Sequence, residues 1–305
     1  MKNIIITGAT SFIGINILKE LKNNEYNIYA IIRPNSINKD KLNEFSNLKI
    51  IELDQREIEN LKLYLKKVDI CIHLAWEGTR VPERYDEKIQ EQNYINSVKT
   101  FEAVTALGCD VFFGTGSQAE YGFVNDIITE ETETNPNTEY GKFKLKTCLE
   151  LEKKALENNV RFIWGRIFSV YGEGDYENTL IMSTLRNMKK NKDVNMTEGK
   201  QYWNYIYIKD LSKIIINLIF NKEAKGIFNL ASNDTRPLKE YILDMKKALN
   251  SKSKINFGVI PYRQEGIVNI KPSILKLNNI LKINYDSNFY SKFRTIISEV
   301  FLWQD

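Results

Sequence analysis

Residues 3–14 constrain the fold of this chain more than any other stretch. Asn3-Ile4-Ile5-Ile6 is a short apolar, β-branched run; it ends in Thr7-Gly8-Ala9-Thr10-Ser11-Phe12-Ile13-Gly14, and a helical pattern through Ile17, Leu18 and Leu21 follows. A strand that turns through glycine into a helix is the first unit of a parallel βαβ sheet. Gly8 suits the tight turn, and Gly14 lets the helix pack close to the strand. Between them Ser11, Phe12 and Ile13 open the helix, whose free N–H groups attract a pyrophosphate. Ser11 stands where the usual middle glycine would be, which narrows the backbone approach but adds a hydroxyl able to donate to phosphate.

Strand and helix signals alternate through the first half, so the expected class is α/β, built on a doubly wound parallel sheet. At 305 residues the chain can form one large domain or two intimate ones. The second strand, Tyr26-Asn27-Ile28-Tyr29-Ala30-Ile31-Ile32, runs into Arg33-Pro34-Asn35-Ser36. In NAD sites an acidic residue at this strand end accepts hydrogen bonds from the adenosine ribose. None is present here, and Arg33 and Ser36 suit a 2′-phosphate instead. A charge-assisted bond to phosphate contributes about 1.5–3 kcal/mol, a roughly tenfold to hundredfold preference. NADP(H) is the favoured cofactor, with NAD(H) left open.

Composition excludes several classes. The net charge of +4 is small and scattered; it suits an anionic small molecule but not nucleic acid, which needs a concentrated basic face. With no apolar run long enough to span a bilayer and no charged-then-apolar leader, the expectation is a soluble cytoplasmic protein without a membrane partner. Cys71, Cys109 and Cys148 are unclustered and sit in apolar patterns, which reads as reduced core thiols. The single histidine, His73, closes a buried-strand pattern. One histidine argues against a zinc centre or a Ser-His-Asp triad, and no metal is expected.

Tyr140-Gly141-Lys142-Phe143-Lys144 opens a helical stretch through Leu145, Cys148, Leu149, Leu151 and Ala155, preceded by the turn residues Asn135-Pro136-Asn137-Thr138. Residues four apart on a helix share a face. A free tyrosine has a pKa of about 10 and transfers protons reluctantly at neutral pH unless positive charge favours its phenolate. Lys144 is placed to supply that charge. A decoy with the same spacing, Tyr205 and Lys209, lies in the alternating run Tyr205-Ile206-Tyr207-Ile208. In a strand, four residues span roughly 13 Å and the two side chains cannot cooperate.

The glycine turn, Asp69-Ile70-Cys71-Ile72-His73-Leu74-Ala75, Asn93, Ser117 and Tyr140/Lys144 occur in the order seen in the extended short-chain dehydrogenase/reductases. The chain resembles that family of nucleotide-sugar epimerases, dehydratases and keto-reductases over most of its length. The resemblance implies a Rossmann domain over residues 1–168 and about 202–233. It further implies a smaller, interleaved C-terminal nucleotide-sugar domain over about 169–201 and 234–305. It adds Leu74, Ala75, Asp54 and Gln55 to the cofactor contacts, beside Gly8, Ser11, Phe12, Ile13, Gly14, Arg33, Ser36, Tyr140 and Lys144. Ser117 becomes the donor to a substrate carbonyl, and Asn93 a residue that orders the active-site helix and a proton-relay water.

The same resemblance orders the reactions. Dehydratases of the family carry an Asp-Glu pair directly after the Ser/Thr, where this chain has Gln118 and Ala119. A 4,6-dehydratase is disfavoured, Glu120 being the nearby acid if the register shifts by one. An epimerase keeps NAD bound, whereas a reductase draws on NADPH. Arg33 therefore favours reduction of a nucleotide-linked 4-keto-6-deoxysugar, in deoxysugar or surface-polysaccharide synthesis. The alternatives are a nucleotide-sugar 4-epimerase with tightly bound NAD and a non-catalytic dinucleotide-sensing scaffold. On the substrate side, Ser117, Gln118, Ser169, Thr179, Trp203 and Arg263 are the candidates. Trp203 and Tyr207 replace an arginine and a histidine frequent in relatives, which leaves Arg263 as the best phosphate ligand. The helices bearing Asn93 and Tyr140 form a face that dimerises in relatives, so a homodimer is expected.

Overall fold

The computed structural model describes residues 1–22, 25–262, 266–282 and 287–301. Among them the strands are β1 (Asn3–Thr7), β2 (Asn27–Ile32), β3 (Leu48–Glu52), β4 (Ile70–His73), β5 (Val111–Ser117), β6 (Arg161–Ile167), β7 (Ser169–Tyr171), β8 (Val194–Asn195), β9 (Tyr202–Tyr207), β10 (Gly226–Leu230), β11 (Thr235–Pro237) and β12 (Ile255–Asn256). The helices are α1 (Phe12–Leu21), α2 (Glu87–Ala106), α3 (Glu139–Glu157), α4 (Leu180–Lys189), α5 (Ile208–Phe220), α6 (Leu238–Ala248), α7 (Leu275–Leu281) and α8 (Phe289–Phe301).

Seven strands form one sheet in the order β10-β6-β5-β4-β1-β2-β3, and the pairs from β6 to β3 are parallel. This is the doubly wound sheet expected from the sequence. Its inner strands are apolar on both faces because helices cover both, so β4 is buried at every position, whereas the edge strand β3 exposes Lys49 and Glu52. The chain reverses its winding between β1 and β4, the place where such sheets bind ligands beyond the carboxyl ends of their strands. Thr7 pairs with His73, and His73 with Gly114. The glycine turn, Leu74-Ala75 and the Thr115–Ser117 end of β5, which stays paired with β6, therefore lie side by side.

The chain divides into two compact units. The first comprises Met1–Gly122, Glu133–Ile167 and Ser212–Phe228. Its core packs Ile5, Ile31, Phe101, Phe112, Leu151 and Trp164, and the three cysteines are free and buried within it, as the apolar patterns require. The second comprises Phe123–Thr132, Phe168–Leu211 and Asn229–Asp305. It carries a three-stranded sheet, β11-β9-β7, and the two-stranded β12-β8. Tyr171, Tyr205, Tyr241 and Phe289 pack there with ring centroids 4.8–6.2 Å apart.

The decoy pair is split, although not as a single strand. β9 stops at Tyr207, and Ile208 begins α5 because the buried set Ile208, Leu211, Ile215 and Leu218 repeats with the helical period. Among the described residues no helix is long and apolar enough to cross a membrane.

Candidate active site

The glycine turn is shaped for an anion. Gly8 has φ of +68°, and a Cβ there would lie 2.9 Å from the Ala75 nitrogen. A Cβ on Gly14 would meet the Gly8 and Ala9 carbonyl oxygens at 2.6 Å, so its small size serves the turn itself. Ser11 caps α1, its Oγ accepting from the Gly14 N–H at 3.1 Å. The Ile15 N–H bonds to the Ser11 carbonyl, while the Phe12 and Ile13 N–H groups take no partner among the described residues. Two backbone donors at a helix N-terminus are thus left for a ligand.

A cavity of about 770 Å³ runs from this turn past Arg33, Asp54, Gln55, Ala75 and Trp76. Asp54 has Oδ1 tied to the Arg56 N–H, and the buried Gln55 Nε2 has no partner. The cleft thus has free backbone donors at one end and an orphaned amide at the other, a shape and donor set that fit a dinucleotide. The Ser36 hydroxyl lies 3.4 Å from that of Thr10. Arg33 is mostly exposed, with Nη1 3.9 Å from Glu77 Oε1. The segment after β4 thus brings an exposed carboxylate beside Arg33 at the end of β2.

The catalytic candidates converge in the first unit. Thr138 caps α3 through the Gly141 N–H, which starts the helix one residue before Tyr140. A Cβ on Gly141 would come within 2.4 Å of the Ala119 carbonyl oxygen, so glycine is what lets α3 approach the turn after β5. Ser117 opens that turn in a capping box: its Oγ accepts from the Ala119 N–H, and Glu120 Oε1 accepts from the Ser117 N–H at 2.8 Å. Burial raises the Tyr140 phenol, while a hydrogen bond with Ser117 and the charge of Arg84 lower it. Lys144 is 3% exposed and donates to the Thr115 carbonyl at 2.7 Å. Burial pulls its pKa down to about 7 against the opposing charge of Glu120.

Glu120 cannot be the acid–base residue of a dehydratase. It is 0% exposed, accepts from Trp164 Nε1 at 3.1 Å and pairs with Arg166 Nε at 2.7 Å. Both oxygens are committed, and they fix Ser117 from behind.

His73 has the structural role expected of it. Thr7 Oγ1 accepts from the Leu74 and Ala75 N–H groups and donates to His73 Nδ1 at 2.8 Å. His73 Nε2–H donates to Ser97, whose hydroxyl donates to the Asn93 carbonyl. Burial, then the nearby Lys144 charge, holds the imidazole at about 3, and it stays neutral. The Asn93 side chain grips both backbone groups of one residue: Oδ1 accepts from the Glu77 N–H at 2.9 Å and Nδ2 donates to the Glu77 carbonyl at 2.8 Å. Asn93 thus anchors the segment after β4.

The sequence pointed to none of Trp76, Arg84, Gln90, the Glu120–Arg166 pair or the reason for Gly141. A glycine in a first helical turn, about 1 kcal/mol worse than alanine, is the one local signal that was available. In the second unit, Trp203 Nε1 donates to Ser169 Oγ at 3.0 Å, so these two candidates meet. Thr179 caps α4 and donates to Asp175 Oδ2 at 2.9 Å. Gln118 Oε1 is buried without a partner beside Ser117. Arg263 lies outside the described residues.

Residues 4–231 match the model of the NAD dependent epimerase/dehydratase family. A CDP-abequose synthase of Salmonella muenchen is 26% identical over 280 residues, 88% of this chain and 87% of that protein. A dTDP-6-deoxy-L-talose 4-dehydrogenase (NAD(+)) of Aggregatibacter actinomycetemcomitans is 27% identical over 274 residues, 86% of this chain and 96% of that protein. Among solved structures, the UDP-N-acetylglucosamine 4-epimerase of Methanobrevibacter ruminantium M1 superposes with a TM-score of 0.88. It is 23% identical and covers 99% of this chain and 98% of its own.

Proposed function

Because the chain belongs to the NAD dependent epimerase/dehydratase family, we propose that it reduces a nucleotide-linked 4-keto-6-deoxysugar, with NADPH as the favoured reductant. The observation that carries this is a proton-transfer set without a second acid–base pair. Ser117, Tyr140 and Lys144 are together, Gln118 and Ala119 hold the positions that elimination would need, and Glu120 is locked to Arg166. The relative named dTDP-6-deoxy-L-talose 4-dehydrogenase (NAD(+)) supports redox chemistry at position 4 of a 6-deoxysugar, with NAD(+) as that protein's cofactor.

Hydride exchange at the sugar carbon is the chemistry that a bound nicotinamide supplies. Gly8, Ser11, Phe12, Ile13 and Gly14 would hold the diphosphate, Asp54 and Gln55 the adenine, and Arg33 and Ser36 the 2′-phosphate. Leu74 and Ala75 line the path toward Tyr140. The Ser117 hydroxyl holds the substrate carbonyl oxygen while Tyr140 gives it a proton, and the Lys144 ammonium stabilises the phenolate left behind. Gln118 offers its orphaned oxygen to a sugar hydroxyl. Ser169, Thr179, Trp203 and Arg263 remain the nucleotide-side candidates, and α2 and α3 the face for a second copy.

Two further readings compete. A 4-epimerase with retained NAD is favoured by the Glu77 carboxylate beside Arg33, which sets an acid where a 2′-phosphate would sit. A dinucleotide-sensing scaffold needs the cleft but not a buried lysine held near neutrality, a costly arrangement typical of catalytic sites.

The test follows absorbance of the reduced nicotinamide, with NADPH and NADH in parallel, against dTDP-, GDP- and CDP-4-keto-6-deoxyhexoses. Oxidation with one of them is expected. Tyr140→Phe should lower that rate at least about 100-fold while changing cofactor affinity less than about twofold. No oxidation by the parent, or full turnover by Y140F, would refute the proposal.

A further inference from the structure

We propose that Arg84 is a second cationic partner of Tyr140, presented on the face of its ring by a loop that Gln90 positions. The proposal deepens the function above and rests on Tyr140 being its proton donor.

The Arg84 guanidinium carbon lies 4.3 Å from the centroid of the Tyr140 ring, closer than the 5.8 Å of Lys144 Nζ. Arg84 is not on a main element of the sheet or on α3. It sits in the short turn Glu83–Tyr85, between β4 and α2. A long side chain in such a segment needs a reason to stay over one ring, and Gln90 supplies it. Gln90, in the first turn of α2, is 0% exposed. Its Nε2 donates to the Gly78 carbonyl at 2.8 Å and to the Glu83 carbonyl at 3.0 Å, and its Oε1 accepts from Trp76 Nε1 at 2.8 Å. A buried amide with every bond directed at one loop costs stability unless those bonds hold, so the loop is fixed where Gln90 points. Asn93, one helical turn on, grips Glu77 in the same loop.

What this loop presents is chemically coherent. Trp76 lies under Lys144, its ring 3.7 Å from Nζ, and stands edge-on to Tyr140 with centroids 6.2 Å apart. Arg84 Nη1 donates to the Thr79 carbonyl at 3.2 Å, which steadies the guanidinium. The charged and polar groups acting on Tyr140 are then Arg84 from the loop, Lys144 from α3, Glu120 from the turn after β5, and the Ser117 hydroxyl. Glu120 opposes the phenolate, and its charge is taken up by Arg166. Arg84 adds to this set a second cation, a guanidinium on the ring face, while burial draws the Lys144 pKa down to about 7. Without Arg84, Lys144 is the one cation of this set left to face a phenolate on Tyr140.

The test reads the phenol directly and needs no substrate. The whole chain is labelled with 3-fluorotyrosine, whose more acidic phenol titrates before alkali threatens the fold, and followed by fluorine NMR from about pH 6 to 11. The resonance missing in Y140F identifies Tyr140. Arg84→Gln, on a half-buried residue that the core does not need, should move the Tyr140 midpoint up by roughly one pH unit, and Arg84→Lys should restore part of the shift. Gln90→Leu should move it in the same direction by releasing the loop. An unchanged midpoint in R84Q overturns the proposal. If the midpoint moves but the parent oxidises NADPH with no 4-keto sugar, the partnership stands and the reductase reading falls. If turnover is found and the midpoint is unmoved, the reverse holds.

Discussion

Glu120→Gln should destabilise the protein far more than a one-atom change suggests. The carboxylate is 0% exposed and the Arg166 side chain 3% exposed. Burial alone would pull the Arg166 pKa down, yet the Glu120 and Tyr121 contacts raise it, so the guanidinium remains charged in the interior. Glutamine keeps an oxygen for the Ser117 N–H but turns the other arm into a donor facing a donor. Breaking one side of a buried ion pair costs about 3–5 kcal/mol, because the remaining charge is left uncompensated. At about 2 °C per kcal/mol, suited to a chain this long, the melting midpoint should fall by about 6–10 °C. Circular dichroism melts of parent and E120Q at neutral pH measure it. The double variant E120Q/R166M removes both charges at similar volume and should recover most of the loss. A midpoint for E120Q within about 2 °C of the parent would show that the pair is not buried as described.

Two further outcomes are expected. Lys144→Met should melt above the parent at about pH 6 while losing turnover at least about 100-fold. The folded lysine loses its proton near a pKa of about 7 and the unfolded one near 10.5. The cost of burying the charge is thus full below about pH 7 and is relieved toward 10.5, so the melting gap should narrow across that window; a gap independent of pH refutes this. Glu77→Gln should raise the ratio of NADPH to NADH affinity roughly threefold to tenfold by freeing Arg33 for a phosphate, measured by titration calorimetry, and an unchanged ratio removes Glu77 from cofactor choice.

Much of the fold was legible because its signals are local. β1, the glycine turn and α1 occupy consecutive residues, and β-branched runs buried on both faces allow few structures besides strands of a covered parallel sheet. Tyr140 and Lys144 were legible for the same reason, since four residues on a helix fix their relation whatever else the chain does. What stayed hidden depends on pairings distant in sequence. Arg33 reads as unopposed until Glu77 is brought across from the segment after β4. Glu120 reads as a spare acid until β6 delivers Arg166 and Trp164 to it. Arg84 lies in a stretch without periodicity, whose conformation is held by the fully buried Gln90 and by Asn93. No sequence pattern marks a glutamine as a loop anchor, because glutamine on an amphipathic helix is ordinarily solvated.

The buried charges explain why this site is built as it is. Lys144 is tethered to the Thr115 carbonyl, and Thr115 lies on the strand that ends at Ser117. Glu120 holds the Ser117 N–H from the other side and raises the lysine's affinity for its proton. One carboxylate therefore positions the hydroxyl and supports the ammonium, while Arg166 prevents that carboxylate from lying unpaired. Removing either Glu120 or Arg166 leaves the other charge buried and uncompensated, so the position of Ser117 and the electrostatics around it cannot be varied separately here. The Arg84 loop escapes this coupling: its guanidinium is half-buried and its tether is a carbonyl, Thr79, outside the network. Substitution there should tune Tyr140 without loosening the core, which makes the loop the part of the site through which proton transfer can be adjusted at little cost in stability.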